Sequence, residues 1–187
     1  MDEPTALIDW LAVGDLRSDG FSPQLAALVI ENPELLPELL EALAGGEDIV
    51  RGHAADALER VSRVHPVSVS NHLDPLLSQA TGDPLPMVRW HLAMLLGNLG
   101  IYGVDDQRIT RVLIGLMDDR SSFVKSWAIS SLCLVGRQDP ESRALALESI
   151  ASLQQDASIA VRHRALKAME LLMDLHQQPP TGWVKVK

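Results

Sequence analysis

The chain is expected to fold as an all-α solenoid, a superhelix of about four stacked helix pairs behind an N-terminal helical cap, and three observations carry that expectation. An octet ending in Val and a basic residue recurs four times, at Val50-Arg51, Val88-Arg89, Val124-Lys125 and Val161-Arg162, in steps of 38, 36 and 37 residues. A fixed period of this length marks units that cannot bury their apolar faces alone and do so by stacking on one another. Three copies place an Asp five residues ahead of the Val (Asp83, Asp119, Asp156); the first has Gly45 there, with Glu47 and Asp48 close by. Composition agrees: of 187 residues 47% are hydrophobic and only 4% aromatic, which suits a Leu/Ala/Val core built from helices.

Taken in order, residues 1–33 are the expected cap, with helical segments near Thr5–Val13 and Ser22–Ile30. Ser22-Pro23 opens the second of these, a cap residue followed by the Pro that the first helical turn tolerates. Four helix pairs follow in one continuous domain, over about 34–64, 67–100, 105–136 and 139–176. First helices are expected near 34–44, 67–80, 106–117 and 140–153, and second helices near 48–64, 87–99, 122–135 and 158–175. In the second pair Val69, Leu73, Leu76 and Leu77 keep helical spacing until Thr81-Gly82-Asp83-Pro84-Leu85-Pro86 breaks the helix. Residues 177–187 leave the repeat. Pro179-Pro180 ends the last helix, and residues 181–187 alternate like a strand with no sheet to join, so they are expected to form a mobile tail, docking of Trp183 into a groove being the alternative.

Counted from the Val, position +4 of the second helices reads Ala54, Leu92, Ala128, Ala165, position +8 reads Leu58, Leu96, Leu132, Met169, and position +11 reads Val61, Leu99, Val135, Leu172. At 100° per residue these columns share one side of the helix, with +7 beside them, and define the core stripe. Small residues at +4 let neighbouring helices approach closely.

The helix pairs and the loops GDPLPMVRW, DDRSSFVKSW and QDASIAVRHR resemble the HEAT-repeat family, including the short HEAT-like repeats of phycobilin lyases, over roughly residues 34–175. The resemblance implies a right-handed solenoid whose second helices line the concave side. It also implies that loop aspartates pair with basic residues of successive repeats, giving structural roles to Asp83, Asp119 and Asp156 with Arg51, Arg89, Lys125 and Arg162. The 36 to 38 residue step is shorter than the ~40–47 usual for HEAT and armadillo repeats.

With second helices lining the groove, the columns opposite the core stripe are expected to meet a ligand. Position +2 reads Gly52, Trp90, Ser126, His163, position +6 reads Asp56, Met94, Ser130, Lys167, and position +9 reads Glu59, Gly97, Cys133, Glu170. Trp90 and Met94, four residues apart, are the expected apolar anchor for a partner, because such pairs meet on one helix face and Trp is enriched at interface hot spots. His53, Asp56, His91, Ser130, His163 and Lys167 complete the expected partner-binding set. No catalytic residue, metal site or cofactor is expected. His53 and His91 share position +3 but lack the adjacent His-Glu pairs of iron-binding HEAT-like hydroxylases, and Cys133 has no activating neighbour in sequence.

Net charge is −9, and its distribution is uneven: residues 1–48 hold 11 acidic side chains and one basic, Arg17. An acidic, solvated cap is the simplest account. Nucleic acid is not an expected partner, since Asp56, Glu59 and Glu170 share the groove with Arg162, Arg164 and Lys167, and phosphate binding needs a concentrated positive stripe. One cysteine, no basic-apolar leader and no 18-residue apolar run point to a cytoplasmic protein without membrane spans. The sequence therefore predicts a non-catalytic scaffold or adaptor that binds a protein or peptide. The alternative is an enzyme or enzyme subunit, phycobilin-lyase-like, metal-dependent or nucleic-acid-acting, using the same groove.

Overall fold

The computed structural model describes residues 7–104 and 107–183. Among them are eleven α-helices: α1 (Leu7–Leu11), α2 (Ser22–Glu31), α3 (Leu36–Gly45), α4 (Asp48–Ser62), α5 (Pro66–Ser70), α6 (Leu73–Gly82), α7 (Pro86–Ile101), α8 (Gln107–Leu116), α9 (Ser122–Gly136), α10 (Pro140–Ala151) and α11 (Ile159–Met173), with 3-10 turns at Pro33–Leu35 and Ser152–Gln155. They form an α-solenoid. The second helices α4, α7, α9 and α11 stack one against the next, and α3, α6, α8 and α10 form the outer row. The cap helix α2 packs on α4 as a second helix would.

The core columns at +4, +7, +8 and +11 are buried in all four second helices, except that Met169 of the fourth is half-buried. One span differs from the sequence expectation. The first helix of the second pair, expected as one span over 67–80, is two helices, α5 and α6, broken at Asn71-His72. Pro75 is the cause: it lacks the N–H that would bond back one turn and its ring clashes there, so it fits only the first turn of a new helix. The start of the cap at Thr5, and of the third pair at residue 105, lies outside the described residues.

A ladder of charged groups runs along the loops between first and second helices. Arg51 Nε donates to Asp83 Oδ2 at 2.8 Å, Arg89 Nε and Nη2 to the two oxygens of Asp119 at 2.7 and 3.2 Å, and Lys125 Nζ to Asp156 Oδ2 at 2.6 Å. The same aspartates accept a backbone N–H two residues on, from Leu85, Ser121 and Ser158. Each thus closes its own loop and receives the preceding repeat. Arg51, Arg89 and Arg162 also donate Nη1 to a loop carbonyl of their own repeat, on Gly46, Asp83 and Asp156. Burial works to raise the pKa of Asp119, but the Arg89 hydrogen bond and the Ser121 N–H outweigh it and hold the carboxyl below 3.8. The Lys125 hydrogen bond does the same for Asp156. Depressed carboxylate pKa values place the ladder's ionic contribution above about pH 4 and remove it as pH falls through the folded-state values.

Through residue 183 the tail is docked on the solenoid, the alternative to the mobile tail expected from the sequence. Leu175 and Gln177 carbonyls accept from Arg137 Nη2 at 2.8 and 2.9 Å, and the Trp183 side chain is buried in the core cluster. Residues 184–187 lie outside the described set. An indole large enough to bury finds a cationic platform in Arg164, and that contact supplies what the missing sheet could not.

Asp119→Ala removes both a loop closure and an inter-repeat bond and is expected to cost about 1–3 kcal/mol in urea unfolding. Arg162→Ala, which severs only bonds within its own loop, is expected to cost less than half as much under the same conditions.

Candidate partner-binding surface

The approach of consecutive second helices decides what remains open on the concave side. A Cβ added at Gly97 would lie 2.5 Å from Ser131 Oγ and 3.1 Å from its Cα, and one at Gly52 3.1 Å from Met87 Sδ. Cys133 Sγ lies 3.7 Å from the Ala168 carbonyl across the next junction. These distances draw positions +6 and +9 into the seams between helices. Asp56, Met94 and Ser130 at +6, and Glu59, Gly97 and Cys133 at +9, are all buried. Burial corrects the expectation that those columns face a ligand: Met94 is a core residue, not an exposed anchor beside Trp90.

His53, also expected in the groove, is fully buried under the cap. Its Nδ1 lies 2.8 Å from the Leu11 carbonyl, and Nε2 lies 3.2 and 3.1 Å from those of Asp15 and Ser18. The loop between α1 and α2 turns over the ring through Gly14 and Gly20, both at positive φ, where a side chain would be strained. His53 therefore pins the cap.

Asp56 anchors a polar seam between the cap and the first two repeats. It accepts from Ser22 Oγ and from Arg60 Nε at 3.0 Å, Arg60 Nη2 reaches Asp19 at 3.0 Å, and His91 Nε2 sits 3.4 Å from Asp56 Oδ1. Alongside, Asn98 Nδ2 donates to Glu59 Oε1 at 3.0 Å and Ser62 Oγ at 2.9 Å, and Arg63 pairs with Glu59. Burial lowers the pKa of His91, and the charges of Asp56 and Glu59 offset this only in part. The imidazole is therefore neutral at neutral pH, and its Nδ1 is buried without a hydrogen-bond partner among the described residues. His53 and His91 are held by separate contacts, and no group of three potential metal ligands occurs among the described residues.

Of the expected set, Trp90, His163 and Lys167 retain exposure. Trp90 is half-buried, its ring 5.4 Å from that of Phe123, which is 63% exposed. The two rings form an open aromatic pair at the edge where second helices begin. Phe123 was not among the sequence candidates. It directly precedes Val124, where the other copies have Ile49, Met87 and Ala160, so the only signal was an aromatic at a variable apolar position. His163 is exposed on α11, and Lys167 Nζ bonds Glu170 at 3.0 Å and Gln177 at 3.2 Å. Arg164 lies between two indoles, 5.0 Å from the Trp127 ring and 5.3 Å from that of Trp183, and donates Nη1 to Ser130 Oγ at 2.6 Å. Its burial lowers its pKa. Burial pushes the Cys133 thiol up to about 12, far from a reactive thiolate. No helix among the described residues is long and apolar enough to cross a membrane.

Stacked helix pairs joined by an Asp-to-basic ladder define a helical-repeat protein of the solenoid class. The family model for HEAT repeats matches residues 36–133, and the chain belongs to the HEAT-repeat family. No curated protein matches its sequence. Among solved structures, two engineered proteins superpose with TM-scores of 0.64 and 0.65 at 18% and 20% identity, covering 89% of this chain in each case and 78% and 79% of theirs. The complex of CpcE and CpcF of phycocyanin lyase from Nostoc sp. PCC7120 matches with a TM-score of 0.63 at 22% identity, over 88% of this chain and 99% of that one. These likenesses are of fold.

Because the unfolded His91 takes up a proton near pH 6.5 while the buried one resists it, the unfolded state binds more protons below that pH and stability falls on acidification. The melting temperature is expected to drop between pH 7 and 5, and a His91→Gln variant is expected to show a shallower drop over the same range.

Proposed function

We propose that this HEAT-repeat chain is a non-catalytic scaffold that binds a protein or peptide along the edge where its second helices begin, with Trp90 and Phe123 as the anchor. The observation that supports this is the aromatic pair, with a ring 63% exposed at Phe123 against a half-buried indole near the middle of the array. A large apolar ring left open beside a Trp is favourable when a partner's apolar side chain covers both. Ile159, 65% exposed at the start of α11, extends the apolar edge toward the fourth repeat. The half-buried Ser126 and exposed His163 supply polar groups around it.

A second reading follows from the likeness to the phycocyanin lyase complex: an enzyme subunit whose groove handles a chromophore. The high pKa and burial of the only cysteine speak against a thiol nucleophile in such a role, and the aromatic edge favours the scaffold.

The test is affinity capture from the source lysate, followed by titration of the captured protein against purified wild type and the Trp90→Ala/Phe123→Ala variant. A loss of affinity of about tenfold or more, equivalent to ~1.4 kcal/mol, is expected; unchanged affinity would overturn the reading, and capture of a chromophore alone would support the second one. Met94→Ala is expected to act instead on folding, costing about 2–5 kcal/mol as a buried Met truncation.

A further inference from the structure

Beyond the binding edge, the structure carries a second unpartnered surface, whose register is set by the repeat itself. Positions +5, +9 and +12 of a second helix face the following second helix. In α4 they are Ala55, Glu59 and Ser62, in α7 Ala93, Gly97 and Gly100, and in α9 Ile129, Cys133 and Gly136, and all nine are buried. In α11 the same positions are Leu166, Glu170 and Met173, with Ile159 seven residues before Leu166 on the same stripe. Here Leu166 is 48% exposed, Met173 68% and Ile159 65%. No helix follows α11 among the described residues, and the tail crosses a different side of it, over Arg164 and Lys167.

The ladder is open at the same place. Arg162 makes the Nη1 bond to its own loop carbonyl at 2.7 Å, as Arg51 and Arg89 do, but among the described residues no aspartate lies ahead of it to receive what their Nε groups donate.

The opposite end of the stack presents the complement. Asp19 stands three residues before the first residue of α2, as Asp83, Asp119 and Asp156 stand before α7, α9 and α11. Among the described residues its carboxylate pairs with Arg60 of α4, at 3.0 Å, and its side chain is 65% exposed. Ile8 of α1, Val13 of the loop after it and Leu28 of α2 are exposed apolar groups of the same cap. Charge points the same way: residues 1–48 carry 11 acidic and one basic side chain, whereas residues 158–187 carry five basic and two acidic. Opposite patches on two copies attract, and like ends repel.

We infer that the open face of α11 docks the N-terminal cap of a second copy of this chain, head to tail, with Arg162 of one molecule reaching Asp19 of the next and Leu166 and Met173 covered by the cap's apolar groups. Such a contact is heterologous, so it propagates into rings or open filaments and does not stop at a dimer.

Sedimentation velocity of the full chain over a concentration series tests this at low and high salt. Wild type is expected to form concentration-dependent species larger than a dimer, weakened by salt, which screens an exposed charge pair. Arg162→Asp and Asp19→Arg are each expected to weaken association by about tenfold or more, because each places like charges at the junction. Mixing those two variants restores opposite charges at every contact and is expected to restore association. Met173→Glu, an exposed substitution that leaves the core intact, is expected to abolish it, with helix content by circular dichroism confirming that every variant folds. A wild-type protein that stays monomeric throughout the series, or association that survives Met173→Glu or is not restored in the mixture, would overturn the proposal.

Discussion

The structure depends on the near contact of α7 with α9. At Gly97 and Gly100 the backbone of one helix lies against Ser131 and Val135 of the other, with no room for a Cβ. Helix pairs in globular proteins ordinarily sit 8–10 Å apart, and glycine at the crossing allows the lower end of that range. At that separation the second helices form a nearly continuous wall. Residues 91–100 of α7 are buried on every side, although the segment contains His91 and Asn98. The same closeness removes the broad groove that a looser stack would have and leaves the rim of the wall as the surface with open aromatic rings.

Polar groups in the wall had to find partners inside it. Asn98 satisfies its amide on Glu59 and Ser62, and Glu59 is balanced by Arg63. The Asp56 carboxylate is shared among Ser22, Arg60 and His91. Replacing one member of such a network strands the others in a medium of low dielectric, so it specifies which helices meet more than it strengthens their meeting. This explains how a cap of two short helices can be seated with a definite orientation: Ser22, Asp19 and the carbonyls of Leu11, Asp15 and Ser18 all end on α4 side chains.

The architecture was legible because a period of 36 to 38 residues and the Val-basic pairs report on stacking directly. The core columns followed from the same register. The candidate surface was less legible, because rotation about a helix separates core from not-core but does not say how close the next helix comes. Gly97, Ser131 and Gly100 carried that information as small side chains in aligned columns, and at position +9 the glycine marks a contact where an open face was expected. His53 was misplaced for a related reason: its partners are carbonyls of a loop 35 to 42 residues away, and backbone carbonyls leave no trace in a sequence. Trp183 was visible as an aromatic in a polar tail, but its site is made by Arg164 and Trp127, which no pattern linked to it.

The rungs of the ladder are not mechanically equal. Arg51 and Arg89 each grip their own loop carbonyl and the next aspartate with separate nitrogens of one planar group, which resists rotation of one repeat on the next. Lys125 offers a single point contact to Asp156, and a point contact is a pivot. Torsional compliance along the superhelix is thereby concentrated between the third and fourth repeats. The stack of Trp127, Arg164 and Trp183 spans that same junction, so the tail acts as a strut across the joint where the solenoid would otherwise flex most easily.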